Sequence, residues 1–204
     1  MSIFDKIKKR FRFDVPKEYR AMHKDGLLDM GKLKKCLYLS DTDWFDPEQI
    51  LDFEKTNDIM SDDFIPFADN ASSDVWCWNR KWATKGEPLV AFCPHDDTRG
   101  KIFAPDFVSC VYRLMVEEMA HTHLVERVVM HSRELPKLFK RYAGSLSKYL
   151  KPEWTKTLKS LSDKPVREVY ENEYGFLTDA EVKKILKRDI GYKRQGEEVK
   201  LFDP

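Results

Sequence analysis

The sequence predicts an α+β fold, with an antiparallel pair of strands in its first half and a helical C-terminal extension. Two observations support this prediction. Between residues 64 and 103, short segments rich in aromatic and β-branched residues are separated by turn-forming residues, which is typical of neighbouring strands. From Pro105 onward, apolar residues recur every three or four positions, which is the spacing of helices that bury one face.

Two strands joined by a short turn are predicted in the middle of the chain. Val75–Trp78 and Leu89–Cys93 have the composition of strands, and the segment Lys85–Pro88 between them contains turn-forming Gly and Pro. So short a connection indicates a hairpin, and therefore antiparallel pairing. A third short strand is predicted at Lys101–Phe103.

Capping residues mark two helix starts. Asp46 precedes Pro47, which suits the first position of a helix, and Thr178 with Glu181 forms the pattern of a capping box. Apolar stripes predict further helices: one at the N-terminus (Ile3, Phe4, Ile7, Phe11), one from Pro105 toward Met130, one over Leu135–Leu150 and one beginning at Pro152.

Charge is divided unevenly along the chain, although the net charge is only +1. Residues 1–35 contain 11 Lys and Arg against 5 Asp and Glu, whereas residues 41–79 contain 1 against 11. Residues 131–204 are basic again, with 17 against 12. We therefore expect an α+β domain over residues 1–130 and a helical, basic extension over residues 131–204. The acidic block either attracts a basic protein surface or consists of solvated loops and helix caps.

Composition points to a cytoplasmic protein. No apolar run approaches the ~18 residues of a membrane-spanning helix, and the N-terminus lacks the pattern of a secretory signal. The four cysteines, Cys36, Cys77, Cys93 and Cys110, contain no closely spaced pair and are expected to be reduced, mostly buried thiols.

Catalytic and metal-binding patterns are weak throughout the sequence. On the predicted helix, His121 and His123 would point in different directions and could not share a metal. Cys93 near His95 lacks the orienting group that an activated thiol needs. No Gly-rich phosphate loop and no recognised nucleic-acid-binding motif is present. We therefore expect no enzyme activity, no metal and no cofactor.

The candidate site is a set of polar loops at one edge of the predicted sheet. Asp69, Asn70 and Asp74 belong to the turn before Val75. The loop of His95, Asp96 and Asp97 follows the neighbouring strand, so hairpin pairing would bring both loops to the same edge.

Trp76 and Trp78 complete the candidate site. Side chains alternate between the faces of a strand, so Val75 and Cys77 should share one face and the two tryptophans the other. One tryptophan face could contact a partner, since Trp is frequent at interface hot spots. The alternative is that both tryptophans pack beneath a helix as core residues.

The order of several short motifs resembles the SUKH (Smi/Knr-like) superfamily, which includes cell-wall regulators and bacterial immunity proteins. The motifs are Trp44 with Pro47–Ile50, FIPFADNASSDVWCW, Pro88–Phe92 followed by CPHDD, and APDFVSCVYRLMVEE. Together they extend over roughly residues 15–120. One departure is Ser72–Ser73 before Asp74, where relatives often carry glycine; serine disfavours positive φ, so the loop path could differ.

The resemblance implies an α+β domain with a mixed, largely antiparallel sheet and packed helices, and it implies a binding module, not an enzyme. Many members of the superfamily are immunity proteins that neutralise a toxin domain by covering its active site. We expect the same function here, with a basic, nuclease-type toxin domain as partner and no binding to nucleic acid or membranes. The alternative is a general intracellular adaptor or regulatory interaction protein.

Overall fold

The computed structural model describes residues 1–32, 34–53, 61–84, 87–125 and 127–201. Its helices are α1 (Ile3–Phe11), α2 (Lys17–Lys24), α3 (Pro47–Asp52), α4 (Phe107–Glu118), α5 (Leu135–Leu146), α6 (Pro152–Leu161) and α7 (Asp179–Asp189), with a 3₁₀ turn at Ser132–Glu134. Its strands are β1 (Asp43–Trp44), β2 (Phe64–Asp69), β3 (Val75–Thr84), β4 (Glu87–Cys93), β5 (Arg99–Ala104), β6 (Arg167–Tyr170), β7 (Glu173–Gly175) and β8 (Glu198–Lys200).

The chain divides into two compact units. Unit 1 consists of residues 1–36, 41–110 and 192–204, and unit 2 of residues 37–40 and 111–191. This division differs from the boundary at residue 130 that the sequence predicted. It falls instead within α4, and residues 192–201 belong to unit 1.

Unit 1 is built on a six-stranded sheet with the order β1-β2-β3-β4-β5-β8. Each pair of neighbouring strands is antiparallel, so the α+β class and the largely antiparallel sheet are confirmed. The predicted hairpin is formed by β3 and β4, with Val75 opposite Cys93 and Trp78 opposite Val90. Two residues of its predicted turn, Lys85 and Gly86, lie outside the described residues.

The two faces of this sheet have different side chains, as alternation along β3 predicted. Val75 and Cys77 belong to a cluster of mostly small and aliphatic residues that also includes Ala91, Ile102 and Val199. The opposite face is aromatic, and Trp78 lies at its centre. The observed alternation shows that a period of two is sufficient to assign side chains of a strand to faces.

Local capping signals predicted helix starts well. Asp46 accepts a hydrogen bond from the backbone N–H of Gln49 at the start of α3 (2.7 Å), with Pro47 as its first residue. Thr178 caps α7, and the Glu181 carboxylate accepts from the Thr178 N–H in return (2.9 Å). These bonds satisfy backbone donors that the first helical turn leaves without partners.

Unit 2 contains α5, α6, α7 and a two-stranded sheet of β6 and β7. The segment 37–40 belongs to it because Ser40 is held by Glu118 at the end of α4. The Ser40 N–H donates to Glu118 Oε2 (2.9 Å), and the Ser40 hydroxyl donates to Oε1 (2.6 Å). Hydrogen bonds to a buried carboxylate of this kind fix a short segment firmly.

Two predictions for the C-terminal half of the chain are wrong. The helix beginning after Pro105 ends at Glu118 and does not continue toward Met130. Residues 131–204 are not only helical, since they contain β6, β7 and β8, the last of which pairs with β5. In the part of the chain that the structure describes, we find no helix of the length and apolarity required to cross a membrane.

Candidate functional site

The loop between β2 and β3 is shaped by the side chain of Asn70. Its Oδ1 accepts hydrogen bonds from the backbone N–H groups of Ser72 (3.0 Å) and Asp74 (2.9 Å). The Asn70 N–H donates to the Asp74 carbonyl (3.0 Å), and the Ser73 N–H donates to the Asn70 carbonyl (2.9 Å). The Asn70 side chain thus supplies the acceptor for two backbone N–H groups of the turn, and these bonds fix the turn with residues of the loop itself.

Ser73 lies in this loop with a φ of 66°, which is the left-handed region that favours glycine. The serine at this position therefore adopts positive φ despite its side chain. The hydrogen bonds that Asn70 Oδ1 accepts from Ser72 and Asp74, the neighbours of Ser73, offset the strain of this conformation.

Asp74 links this loop to the next one along the sheet. Its Oδ1 accepts hydrogen bonds from the His95 backbone N–H (3.0 Å) and lies 2.9 Å from His95 Nδ1. Its Oδ2 accepts from the Asn70 Nδ2 amide (3.2 Å). The predicted proximity of the Asp69–Asp74 loop and the His95–Asp97 loop is therefore confirmed, and Asp74 is the residue that connects them.

The Asp74–His95 contact changes the ionisation of both side chains. Burial of Asp74 disfavours its charged form, but the hydrogen bonds from His95 and Asn70 outweigh burial and lower the pKa of the carboxyl. The hydrogen bond to Asp74 raises the pKa of His95, and the nearby charge of Asp96 acts in the same direction. Both shifts favour the charge-assisted contact between the Asp74 carboxylate and the imidazolium form of His95.

Asp69 has a different environment at the same end of the sheet. It is paired across strands with Asp43 of β1. Partial burial raises the pKa of Asp69, and the charge of Asp43 raises it further. The two aspartates of one loop, Asp69 and Asp74, therefore have opposite pKa shifts.

Asp96 and Asp97 are exposed in the loop between β4 and β5. Asp97 Oδ1 accepts from the Arg99 N–H (2.9 Å), and the Arg99 guanidinium lies 3.1 Å from Glu198 Oε2. We call Asp43, Asp69, Asp74, Asp96 and Asp97 the acidic end of the sheet. Asp43 was not among the predicted site residues, although it lies in the acidic block of the sequence.

Placing Trp76 and Trp78 in the partner-contact site is wrong, and the alternative, that both are core residues, is confirmed. Trp76 is 5% exposed and Trp78 is fully buried. Trp78 packs against Phe67, with ring centroids 4.6 Å apart, and Trp76 packs against Phe92 at 5.2 Å. Neither indole Nε1 has a hydrogen-bond partner among the described residues, so both tryptophans are aromatic core and their N–H groups contribute no polar contact.

The described residues provide no metal centre and no activated thiol. No group of three or more His, Cys, Asp or Glu in residues 1–32, 34–53, 61–84, 87–125 and 127–201 has a metal-holding arrangement. All four cysteines are buried free thiols, and burial raises the pKa of Cys36 to about 12. The Nδ1 atom of His95 is engaged by Asp74 and not by Cys93.

A second polar cluster, in unit 2, was missed by the sequence reasoning. The ring of His121 contacts two carboxylates: Nδ1 meets Glu173 Oε1, and Nε2 lies 2.7 Å from Asp179 Oδ1. His123 Nε2 lies 3.6 Å from Glu173 Oε2. Hydrogen bonds to the carboxylates, that to Asp179 first, outweigh desolvation and raise the pKa of His121.

The predicted helical position of His121 and His123 is wrong. The helix α4 ends at Glu118, and Thr122, which lies between the two histidines, pairs with Tyr174 in an antiparallel bridge. In extended backbone, residues two apart lie on the same side, so both histidines can reach Glu173. The only signal in the sequence was the short His–Thr–His spacing, which is compatible with either geometry.

Comparison with known proteins found no matching family model, no matching curated protein and no matching solved structure.

Proposed function

We propose that this chain is a non-catalytic protein-binding module of the SUKH type, and that the acidic end of the sheet contacts a basic protein partner. The most specific form of this proposal is an immunity protein that acts in the cytoplasm and neutralises a nuclease-type toxin domain. The order of motifs from Trp44 to APDFVSCVYRLMVEE supports the family, and the geometry of the acidic end supports the site.

The observation that carries the proposal is the link between Asp74 and His95. It joins two loops that come from different strands, and Asn70 fixes the first of them from within. Loops that are already ordered lose little conformational entropy on binding, so more of the interaction energy remains available for affinity. The exposed carboxylates of Asp96 and Asp97 therefore lie in a loop that is already ordered before a partner binds.

The charges suit a partner with a basic surface. Carboxylates clustered at one end of a sheet attract cations over about one Debye length, which speeds association more than it increases affinity. Since Trp76 and Trp78 are buried, recognition in this proposal depends on the polar loops and not on a tryptophan anchor.

Affinity capture from lysate of the source cells at low salt tests the proposal. The informative variant is Asp96→Lys/Asp97→Lys, because both residues are exposed and the bond that Asp97 accepts comes from Arg99 at the end of the same loop, whereas Asp74 joins the two loops. The matched control is Glu168→Lys/Glu171→Lys, which makes the same charge change at exposed positions of unit 2. We expect the first variant to lose a basic partner that the wild type and the control retain. Equal capture by all three proteins would remove the acidic end as the contact site.

Co-expression separates immunity from an adaptor function. An immunity protein should capture one dominant partner, and its own expression should suppress the toxicity of that partner in growing cells. Several non-toxic partners would favour the adaptor instead. Raising the salt concentration should slow association of a charge-steered pair in either case.

A further inference from the structure

An open groove lies between α6 and α7 in unit 2. Its volume is about 560 Å³, which falls in the range of sites for small organic ligands. The residues that line it come from α6 and its C-terminal extension and from α7. The groove is thus contained in one unit and does not involve the acidic end of the sheet.

Two polar contacts join the helices and leave the groove between them. The Lys164 ammonium donates to Glu181 Oε1 (2.6 Å), and the Arg188 guanidinium donates to Thr157 Oγ1 (3.4 Å). Residue numbers fall along one helix as they rise along the other, so the two helices run antiparallel. The two contacts lie at different positions along the groove, and all four of their residues line it.

The lining of the groove combines an apolar floor with polar sides. Leu161 of α6 and Ile185 of α7 are largely buried and supply the apolar surface. Ser160 provides an exposed hydroxyl, and Lys156 and Lys184 provide exposed ammonium groups, one from each helix. The other lining residues are polar or charged, so the groove has a small apolar floor and suits a ligand that carries charge.

The groove is lined by four cations, Lys156, Lys164, Lys184 and Arg188, and by three acids, of which Glu153 is exposed and the other two are engaged. Glu181 is engaged by Lys164, and this hydrogen bond with that from the Thr178 N–H lowers the Glu181 pKa to about 2. Asp189 is engaged by Arg188, with Nη2 2.8 Å from Oδ2, and by the Tyr112 hydroxyl. Within the described part of the chain, Lys156 and Lys184 form no ion pair.

We propose that the groove between α6 and α7 binds a small organic anion, specifically a phosphate monoester with an apolar or aromatic body. Lys156 and Lys184 contact the phosphate, Ser160 donates a hydrogen bond to it, and the organic body lies on Leu161 and Ile185. Lysine is well suited to this role because its ammonium group is a point charge with three donors. This inference is independent of the function proposed for the acidic end.

Titration of the full chain with 1-naphthyl phosphate, followed by amide NMR shifts, tests the site. The test variant is Lys156→Gln/Lys184→Gln. The matched control is Lys159→Gln/Lys187→Gln, in which each exposed lysine lies three residues further along the same helix and outside the groove. 1-Naphthol and inorganic phosphate are titrated in parallel, to separate the contribution of the body from that of the anion.

We expect saturable shifts confined to α6 and α7, and binding about tenfold weaker or more in the test variant, since each lost charged hydrogen bond has an effect of about that size. The control variant should bind as the wild type does. No saturation, shifts elsewhere, or equal weakening in both variants would overturn the assignment. The assignment would also be overturned if naphthol or inorganic phosphate bound as tightly as the ester. In that case either the phosphate or the organic body would contribute nothing to binding.

Discussion

The interior of β3 and the loop that precedes it are adjacent in the sequence but are stabilised in different ways. Within the strand, Trp76 and Trp78 are buried among aromatic rings, and their indole N–H groups have no partner among the described residues. In the loop, Asn70 and Asp74 are partly exposed and each makes several hydrogen bonds.

The residues that stabilise the fold are therefore different from those that form the proposed contact surface. Burial of a large aromatic side chain contributes more to folding than one partly exposed hydrogen bond, because each bond replaces a bond to water. The loop, in contrast, presents charges in a defined arrangement. We therefore expect substitutions in the strand to change the free energy of unfolding, and substitutions of exposed loop acids to change binding.

The largest effect is expected for Trp78→Ala. Trp78 is fully buried against Phe67, Tyr19 and Phe13, so its removal leaves a cavity in the aromatic face and should cost about 3–5 kcal/mol of unfolding free energy. Urea denaturation measures this change. Trp78→Phe is the companion variant and should cost less, because it keeps an aromatic ring and removes a buried N–H without a partner. A loss below about 0.5 kcal/mol in Trp78→Ala, the size expected of a surface change, would contradict the core assignment.

A smaller effect is expected for Asp74→Ala. It removes the acceptor of hydrogen bonds from His95 and Asn70 and should cost about 1–3 kcal/mol. Amide shifts of the His95 loop should change together with those of the Asn70 loop. Asp96→Ala is the matched control in the neighbouring loop and should stay within about 0.5 kcal/mol of the wild type. If the two variants unfold alike, Asp74 does not support the loops.

The smallest expected effect is at the His121 cluster of unit 2, whose contribution to the stability of the protein should depend on pH. The pKa of His121 is raised and that of Asp179 is lowered, so their mutual stabilisation is lost as pH rises through the folded pKa of His121. It is also lost as pH falls through the folded pKa of Asp179. His121→Gln should therefore destabilise the protein more at about pH 5.5 than at about pH 8.5, on either side of the ordinary histidine value.

Urea midpoints of wild type, His121→Gln, Asp179→Asn and the double variant provide the measurement. The coupling between the two positions should be present at the lower pH and shrink at the higher one. A coupling that is the same at both pH values would show that His121 acts without its charge.

The sequence predicted those parts of the fold that depend on residues close together in the chain. The alternation along Val75–Trp78 assigned faces correctly, and Asp46 and Thr178 marked helix starts correctly, because capping bonds extend over only three residues. The end of α4, in contrast, is not marked by the apolar pattern of the sequence. Apolar residues continue beyond Glu118, but the chain leaves the helix there and the Thr122 N–H donates to the Tyr174 carbonyl.

Exposure and long-range pairing outside the hairpin were decided only by the tertiary structure. Composition left open whether Trp76 and Trp78 were core or contact residues, because it does not tell which elements cover each face of the sheet. The hairpin pattern predicted that the loops of Asp74 and His95 meet, although these residues are 21 positions apart. His121 and Glu173 are 52 residues apart and belong to no hairpin with each other, so their contact depends on how the elements pack. What the sequence determined by itself was therefore the type of each strongly patterned element, the charge of its loops and the pairing of one hairpin, whereas packing decided which side chains are buried and which distant segments meet.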